Sequence, residues 1–245
     1  MDAATLNHIS DDGAESLRSF YQNVLDTHSS AIDQYEALFN LGLLSWRSGD
    51  KGKTHQLLLA CCQKALTIIS SRSKENKTAQ RTAHKFEFPL FLTLLFGNEA
   101  ELKTLSSLSR SDWCQPETEE YSALGDLFDL LSQWEIKNVD VNTVQRIIDK
   151  NKSQNSNHFY RPWINAMCTG LLAIIQKESV TVVSSIESLL ELHRQLAQEG
   201  DWQYLVEGLL AFWASALLTI SNRQGLALTI QSEYLFVPEP IQKIY

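Results

Sequence analysis

Apolar side chains recur at helical intervals along most of the chain. Between residues 30 and 47, for example, Ile32, Tyr35 and Phe39 lie three and four positions apart, which places them on one face of a helix. Similar patterns predict helices at about 11–26, 53–71, 89–97, 98–109, 122–134, 140–150, 160–176, 179–198 and 201–222. The sequence therefore predicts an all-α fold of about nine or ten helices.

Short breaks separate these helical segments. Gly49 and Gly97 stand where helices should end, and Asn98 followed by Glu101 matches a capping box for the next helix. Pro89 fits the first turn of its helix, where a missing N–H costs nothing. The spacing of the breaks is not constant, so no strict repeat is indicated. Breaks this short favour stacked antiparallel helix pairs in a loosely solenoid-like arrangement.

The length of 245 residues fits one large domain or two small ones. We expect a single helical domain over residues 1–245, with 11–109 and 117–245 as candidate sub-bundles. The last long helix, at about 201–222, is rich in large apolar groups such as Trp202, Tyr204 and Leu205. We expect that helix to be buried.

The pattern changes after Gly225, which is placed to end the last helix. Leu226, Leu228 and Ile230 alternate with less apolar residues, which predicts one short extended C-terminal segment with a buried face. Such a segment either pairs with another extended stretch or lies along the helices. Tyr234 is expected to help fasten it to the core.

The charge and composition restrict the classes of partner. The net charge is −8 and no basic run is present, which disfavours binding to nucleic acid and to anionic membranes. Such a charge is typical of an ordinary soluble protein, and the more specific hypothesis is a basic protein partner. No secretory signal and no apolar run of about 20 residues are recognisable, so we expect a cytoplasmic protein. The four cysteines show no C-x-x-C spacing, which is typical of buried, reduced thiols.

Catalytic motifs are not recognisable in the chain. There is no G-x-S-x-G, P-loop, Rossmann or H-E-x-x-H pattern among its residues. Glu191 and His193 are two positions apart on one predicted helix and face apart, which disfavours a shared metal ion. We therefore predict a protein that is not an enzyme and has no catalytic, cofactor-binding or metal-binding residues. An enzyme with an unrecognised site, such as a pair of carboxylates that meet only in the fold, is the third hypothesis.

Two connections combine aromatic and charged residues, as binding hot spots do. The first reads "RSDWCQPETEEY" and the second "NHFYRPW". The alternative for Trp113 is a structural plug at the end of a helix pair. The candidate partner-binding residues are Asp112, Trp113, Glu117, Glu119, Glu120, Tyr121, His158, Tyr160 and Trp163.

Three segments together resemble the Immunity protein 49 family of bacterial polymorphic-toxin systems. They read "YEALFNLGLLSWRSGDKGKTHQLLLACCQKAL", "FPLFLTLLFGNEAELKTLSSL" and "ALLTISNRQGLALTIQSEYLFVPEPI". The last is similar to the closing signature of the family, although its ending is stretched, because Phe236 and Val237 both stand between Leu235 and the proline. The signature positions are Arg223, Gly225, Ser232, Glu233, Tyr234, Leu235 and Pro238.

This resemblance implies a helical, non-catalytic immunity protein that binds a cognate toxin and blocks it by stoichiometric occlusion. It implies no defined toxin-contacting motif, and the closing signature is expected to be structural. A toxin that acts in the cytoplasm, such as a basic nuclease, would suit an acidic inhibitor. The alternative hypothesis is a helical-repeat adaptor or chaperone that holds a peptide or a secretion partner in a groove.

Overall fold

A computed structural model of the protein describes residues 8–27, 30–75, 83–114, 121–134, 139–154 and 157–236. Across these residues the chain forms eleven α-helices and one short 3-10 helix, with no β-strand, so the predicted all-α fold is confirmed. The helices are α1 (Asp11–Asp26), α2 (Ala31–Arg47), α3 (Lys51–Glu75), α4 (Ala83–Phe96), α5 (Glu99–Ser107), α6 (Arg110–Trp113), α7 (Ser122–Gln133), α8 (Val141–Ser153), α9 (Arg161–Gln176), α10 (Ser179–Gln198) and α11 (Phe212–Arg223). The 3-10 helix spans Val206–Leu209.

Local chemistry sets several of the helix ends. Asn98 is the N-cap of α5: its Oδ1 accepts the N–H of Ala100 at 2.8 Å, and its own N–H donates to Glu101 Oε2 at 2.9 Å. This confirms the predicted capping box. Gly49 follows α2 with φ +78°, a left-handed conformation that glycine adopts without a steric penalty. The start of α5 and the end of α2 are therefore found where the sequence predicts them.

Neighbouring helices form packed pairs. α2 packs on α3, α9 packs on α10, and α1 packs on α2. The connections within the first two pairs are three and two residues long, so their helices must run in opposite directions. α4 connects parts of the chain that are distant in sequence. It packs on α3, on α7 and on α11.

The buried apolar residues form one continuous core that extends from Ile9 to Phe236. Phe39 of α2, Phe88 of α4 and Phe212 of α11 meet at one junction in it. The ring centroids are 5.0 Å apart for Phe39 and Phe88, 5.8 Å for Phe39 and Phe212, and 5.3 Å for Phe88 and Phe212. Aromatic packing therefore binds the N-terminal helices to the last helix.

The predicted continuous helix at 201–222 is wrong. Residues 201–205 form turns, the 3-10 helix follows, and α11 begins only at Phe212. Ala211 donates its backbone N–H to Tyr234 O at 2.9 Å, so a contact with the C-terminal segment replaces the helical hydrogen bond. As a result, Tyr204 and Leu205 are exposed rather than buried.

The C-terminal segment lies along the helices. Leu226, Leu228 and Ile230 are half-buried and pack against the core, while the residues between them are exposed. Ala227 has φ +47°, so the backbone is not a regular strand, and the described residues offer it no partner strand. Of the two expected arrangements, the structure therefore shows the one in which the segment lies along the helices without a partner strand among the described residues.

Close helix packing generates the first testable prediction. A Cβ at Gly42 of α2 would lie 2.4 Å from Cδ2 and 2.7 Å from Cγ of the buried Leu58 on α3. Gly42→Ala should therefore lower the free energy of unfolding by about 1–3 kcal/mol. A Cβ at Gly52 of α3 would have Asp50 Oδ1 as its nearest neighbour, at 3.7 Å. Gly52→Ala should therefore raise the free energy of unfolding by up to about 1 kcal/mol.

Urea denaturation of both variants and of the unmodified protein measures these changes. Equal effects of the two substitutions would show that the α2–α3 contact at Gly42 is not tight.

Candidate functional site

The first aromatic segment lies mostly in the core. Trp113 is 4% exposed and stacks on Phe86 of α4, with ring centroids 4.4 Å apart and planes 8° apart. Its indole N–H finds no acceptor among the described residues. Asp112 is half-buried and accepts hydrogen bonds from Ser109 N at 2.8 Å and Ser109 Oγ at 2.9 Å. The exposure expected of Trp113 at a binding surface is not found, and its placement matches the alternative of a structural plug.

The structure brings the two predicted segments together. Tyr121 and His158 stack with ring centroids 3.9 Å apart and planes 16° apart. Tyr121 is buried, and its hydroxyl donates to Asn151 Oδ1 at 2.5 Å. Trp163 is also buried, 5.6 Å from the ring of Trp213. Tyr121 and Trp163 are therefore core residues in this fold, and the sequence did not reveal it because their neighbours are distant along the chain.

Tyr160 belongs to a buried polar cluster. Its hydroxyl donates to Glu87 Oε2 at 2.7 Å, and the indole N–H of Trp213 donates to Glu87 Oε1 at 2.7 Å. Burial raises the pKa of the Glu87 carboxyl, and the hydrogen bonds from Trp213 and Tyr160 oppose that rise. Burial and the nearby Glu87 also raise the pKa of Tyr160. Each oxygen of Glu87 accepts one hydrogen bond, so the cluster joins α4 to the start of α9 and to α11.

Four of the predicted residues fall outside the described part of the chain. They are Glu117, Glu119 and Glu120 of the first aromatic segment and Pro238 of the closing signature.

Part of the closing signature lies in the core. Tyr234 and Leu235 are buried, and Ser232 Oγ accepts the backbone N–H of Tyr234 at 3.2 Å. Gly225 has φ +84°, which suits glycine at the end of α11. Glu233 is exposed.

Arg223 occupies the last turn of α11 and is half-buried. A cation there interacts favourably with the carbonyl end of the helix.

Large apolar side chains are exposed at two places that the sequence did not single out. Phe20 of α1 is 59% exposed, and its ring lies 5.1 Å from that of Tyr21. Before the 3-10 helix, Tyr204 is 65% exposed and Leu205 is 48% exposed. The helical pattern did not predict the exposure of Tyr204 and Leu205, because it assigned both to a buried helix.

Burial also shifts the pKa of titratable groups outside the Glu87 cluster. His193 is 1% exposed, its Nε2 lies 3.1 Å from Gly208 O, and burial lowers its pKa to about 4. Burial raises the pKa of the Cys168 thiol to about 12 and that of Cys62 to about 11. All four cysteines are buried, and no disulfide joins any of them. Thiols with raised pKa values are poor nucleophiles at neutral pH.

The described residues contain neither a metal-binding cluster nor a membrane-spanning helix. No group of three or more His, Cys, Asp or Glu side chains there could hold a metal ion. None of the helices in that part of the chain is both long and apolar enough to cross a lipid bilayer.

Comparison of the chain with protein-family models, with curated proteins and with solved structures finds no match. The resemblance to the Immunity protein 49 family stays a prediction, and the function has to be argued from the residues themselves.

The Glu87 cluster predicts a pH dependence of stability. Because the pKa of Glu87 is raised in the folded state, its contribution is fully present below the ordinary value of 4.5 and declines as the pH rises through the folded pKa. Each unit of the rise corresponds to about 1.4 kcal/mol. Glu87→Gln should remove this decline, so the stability of the variant relative to the unmodified protein should grow with pH.

Urea denaturation at several pH values measures the difference, and Glu187→Gln at an exposed position of α10 controls for the loss of one negative charge. A difference between Glu87→Gln and the unmodified protein that does not change with pH would contradict the assignment.

The lowered pKa of His193 predicts the opposite dependence of stability on pH. Its pKa is lowered on folding from 6.5 to about 4, so its contribution is present above pH 6.5 and is lost as the pH falls towards the folded value. The loss should reach on the order of 3 kcal/mol. His193→Gln keeps a donor for Gly208 O and does not titrate, so it should reduce the loss of stability in acid. If the variant loses as much stability on acidification as the unmodified protein, His193 is not the group responsible.

Proposed function

We propose that this chain is an immunity protein of the Immunity protein 49 type, which binds a cognate bacterial toxin in the cytoplasm and neutralises it by stoichiometric occlusion. The observation that supports the proposal is the position of the closing signature. Two of the residues that carry the resemblance, Tyr234 and Leu235, are buried in the C-terminal part of the core. A signature with a structural role is what the resemblance implies.

The contacts of the segment 232–236 make this observation specific. Tyr234 is fully buried, its ring lies 5.1 Å from the ring of His193, and its carbonyl accepts the N–H of Ala211. Phe236 donates its N–H to Ser215 Oγ at 3.0 Å, and its ring lies 4.5 Å from that of Phe96. The segment therefore joins α10, α11 and α4, as a closing clasp would.

The charge supports a basic toxin. An inhibitor with a net charge of −8 attracts a positively charged protein over a long range and accelerates their encounter. A toxin that cleaves nucleic acid must attract phosphates, so it presents a basic surface that an acidic inhibitor can cover. In this proposal the chain is not an enzyme, needs no cofactor, and binds neither nucleic acid nor membrane.

One observation favours the adaptor or chaperone as a second candidate. A groove of about 690 Å³ runs between α9 and α10. Its lining includes the small side chains of Ala166, Thr169, Ser184 and Ser188. Small side chains let another backbone approach closely, so a peptide or a helix could lie there.

Co-expression with the product of the neighbouring gene tests both candidates. An immunity protein should restore growth against that product and form a stable 1:1 complex with it, and the dissociation constant should rise with salt. Ser188→Trp fills the α9–α10 groove at an exposed position, so it should abolish binding by an adaptor and leave toxin neutralisation intact.

Absence of both rescue and a complex would contradict the immunity proposal. Binding that Ser188→Trp abolishes would support the adaptor instead. Binding that does not respond to salt would contradict only the electrostatic part.

A further inference from the structure

The α9–α10 groove is formed by the outer faces of two packed helices. Its volume is about 690 Å³, and seven of the residues that line it are exposed and recur at helical intervals. They are Pro162, Asn165 and Thr169 of α9, and Ser184, Glu187, Ser188 and Glu191 of α10. Each helix therefore contributes one exposed face to a single concave surface.

The hydroxyl groups on the α10 wall use their protons within their own helix. Ser188 Oγ donates to Ser184 O at 2.9 Å. Thr181 Oγ1 donates to Glu178 Oε2 at 3.2 Å. A hydroxyl that donates its proton keeps lone pairs that can accept a hydrogen bond from another molecule. The α10 wall of the groove therefore offers acceptors to a ligand.

The α9 wall supplies a donor. Asn165 Oδ1 accepts a hydrogen bond from Asn151 Nδ2 at 2.8 Å, so the oxygen of this side chain is held by the neighbouring helix α8. The amide N–H groups of Asn165 are then left for an acceptor such as a peptide carbonyl. The two walls together match a peptide segment whose side chains are donors.

The charge of the lining has one sign. Among the described residues it includes the carboxylates of Glu187 and Glu191 and no Lys, Arg or His. Glu191 already accepts hydrogen bonds from Arg194 and Gln195 on its own helix. Glu187 forms no ion pair with any residue in the described ranges. The groove therefore holds one exposed carboxylate that a cation of a ligand can approach directly.

We infer that the α9–α10 groove is the docking site for an arginine-rich segment of a partner protein, in which one guanidinium pairs with Glu187. A guanidinium has five N–H donors and no acceptor, so it can bind the carboxylate and the hydroxyl oxygens of Ser184 and Ser188 together. The half-buried Ala166 and Leu192 give its apolar stem a contact surface.

This inference rests on the second proposed function, the adaptor, and adds the chemistry of its ligand. A second copy of the chain is disfavoured as the occupant, because it carries the same net charge of −8.

Labelled nona-arginine tests the site on the full chain. It should bind more tightly than nona-lysine, because an ammonium group cannot form the paired hydrogen bonds of a guanidinium. The affinity should fall as salt is added. In a titration followed by NMR of the backbone amides, the signals that shift should belong mainly to residues 161–192. Nona-glutamate is the control for unspecific peptide binding and should not bind.

Two substitutions change the groove in different ways. Glu187→Gln removes the charge and keeps the shape, so it should raise the dissociation constant for nona-arginine about threefold. Ser188→Trp fills the groove, so it should raise that constant about tenfold or more. The matched controls Glu36→Gln and Ser19→Trp make the same changes at exposed positions of α2 and α1, and should bind as the unmodified chain does.

Thermal unfolding checks that the variants fold. All four substituted positions are exposed, so each variant should melt close to the unmodified protein. If Ser188→Trp does not fold, Glu187→Gln still tests the site.

Equal affinity of the groove variants and their controls for nona-arginine would overturn the inference, as would amide shifts centred outside the groove. Nona-lysine that binds as tightly as nona-arginine would contradict the assignment to arginine. Dimers of the chain that only Ser188→Trp dissociates would show that a second copy occupies the groove, which would also overturn the inference.

The neighbouring gene product separates this inference from the immunity proposal. If the chain neutralises the product while nona-arginine does not distinguish the groove variants from their controls, the groove assignment is wrong and the immunity proposal stands. If nona-arginine distinguishes them and the product is not neutralised, the groove assignment stands and the immunity proposal fails.

Discussion

The carboxylate of Glu87 is the interaction on which the fold most depends. It accepts hydrogen bonds from Tyr160, 73 residues away, and from Trp213, 126 residues away, and it is 5% exposed. A buried carboxylate is stable only when its hydrogen-bonding capacity is filled, so α4 has to be docked against α9 and α11 together. The aromatic junction of Phe39, Phe88 and Phe212 adds apolar contact between the same two parts of the chain.

A second contact over a long sequence separation joins the two ends of the chain. The backbone N–H of His8, which precedes α1, donates to Gln203 O at 2.7 Å, and its Nε2 lies 2.9 Å from Gln198 O of α10. The residues before α1 are therefore held against the end of α10 and the turns that follow it.

The sequence predicts those features that depend on neighbouring residues. The capping box of Asn98 and the end of α2 at Gly49 follow from chemistry within four positions. The start of α4 does not follow from such local chemistry. The helix begins at Ala83, so Pro89 lies inside it and not, as the sequence had predicted, in its first turn. Likewise, a pattern of aromatic and charged residues cannot show that Trp113 faces Phe86, or that Tyr204 leaves the helix. Those outcomes depend on contacts between distant segments.

Native-state hydrogen exchange of the free protein tests most directly whether the Glu87 junction unites the fold. The slowest amides of α2 and α4 and those of α9 and α11 should exchange with the same free energy of opening, because neither part keeps its core without the other. Two groups of amides that differ by more than about 2 kcal/mol, divided between the N-terminal and C-terminal helices, would contradict this account.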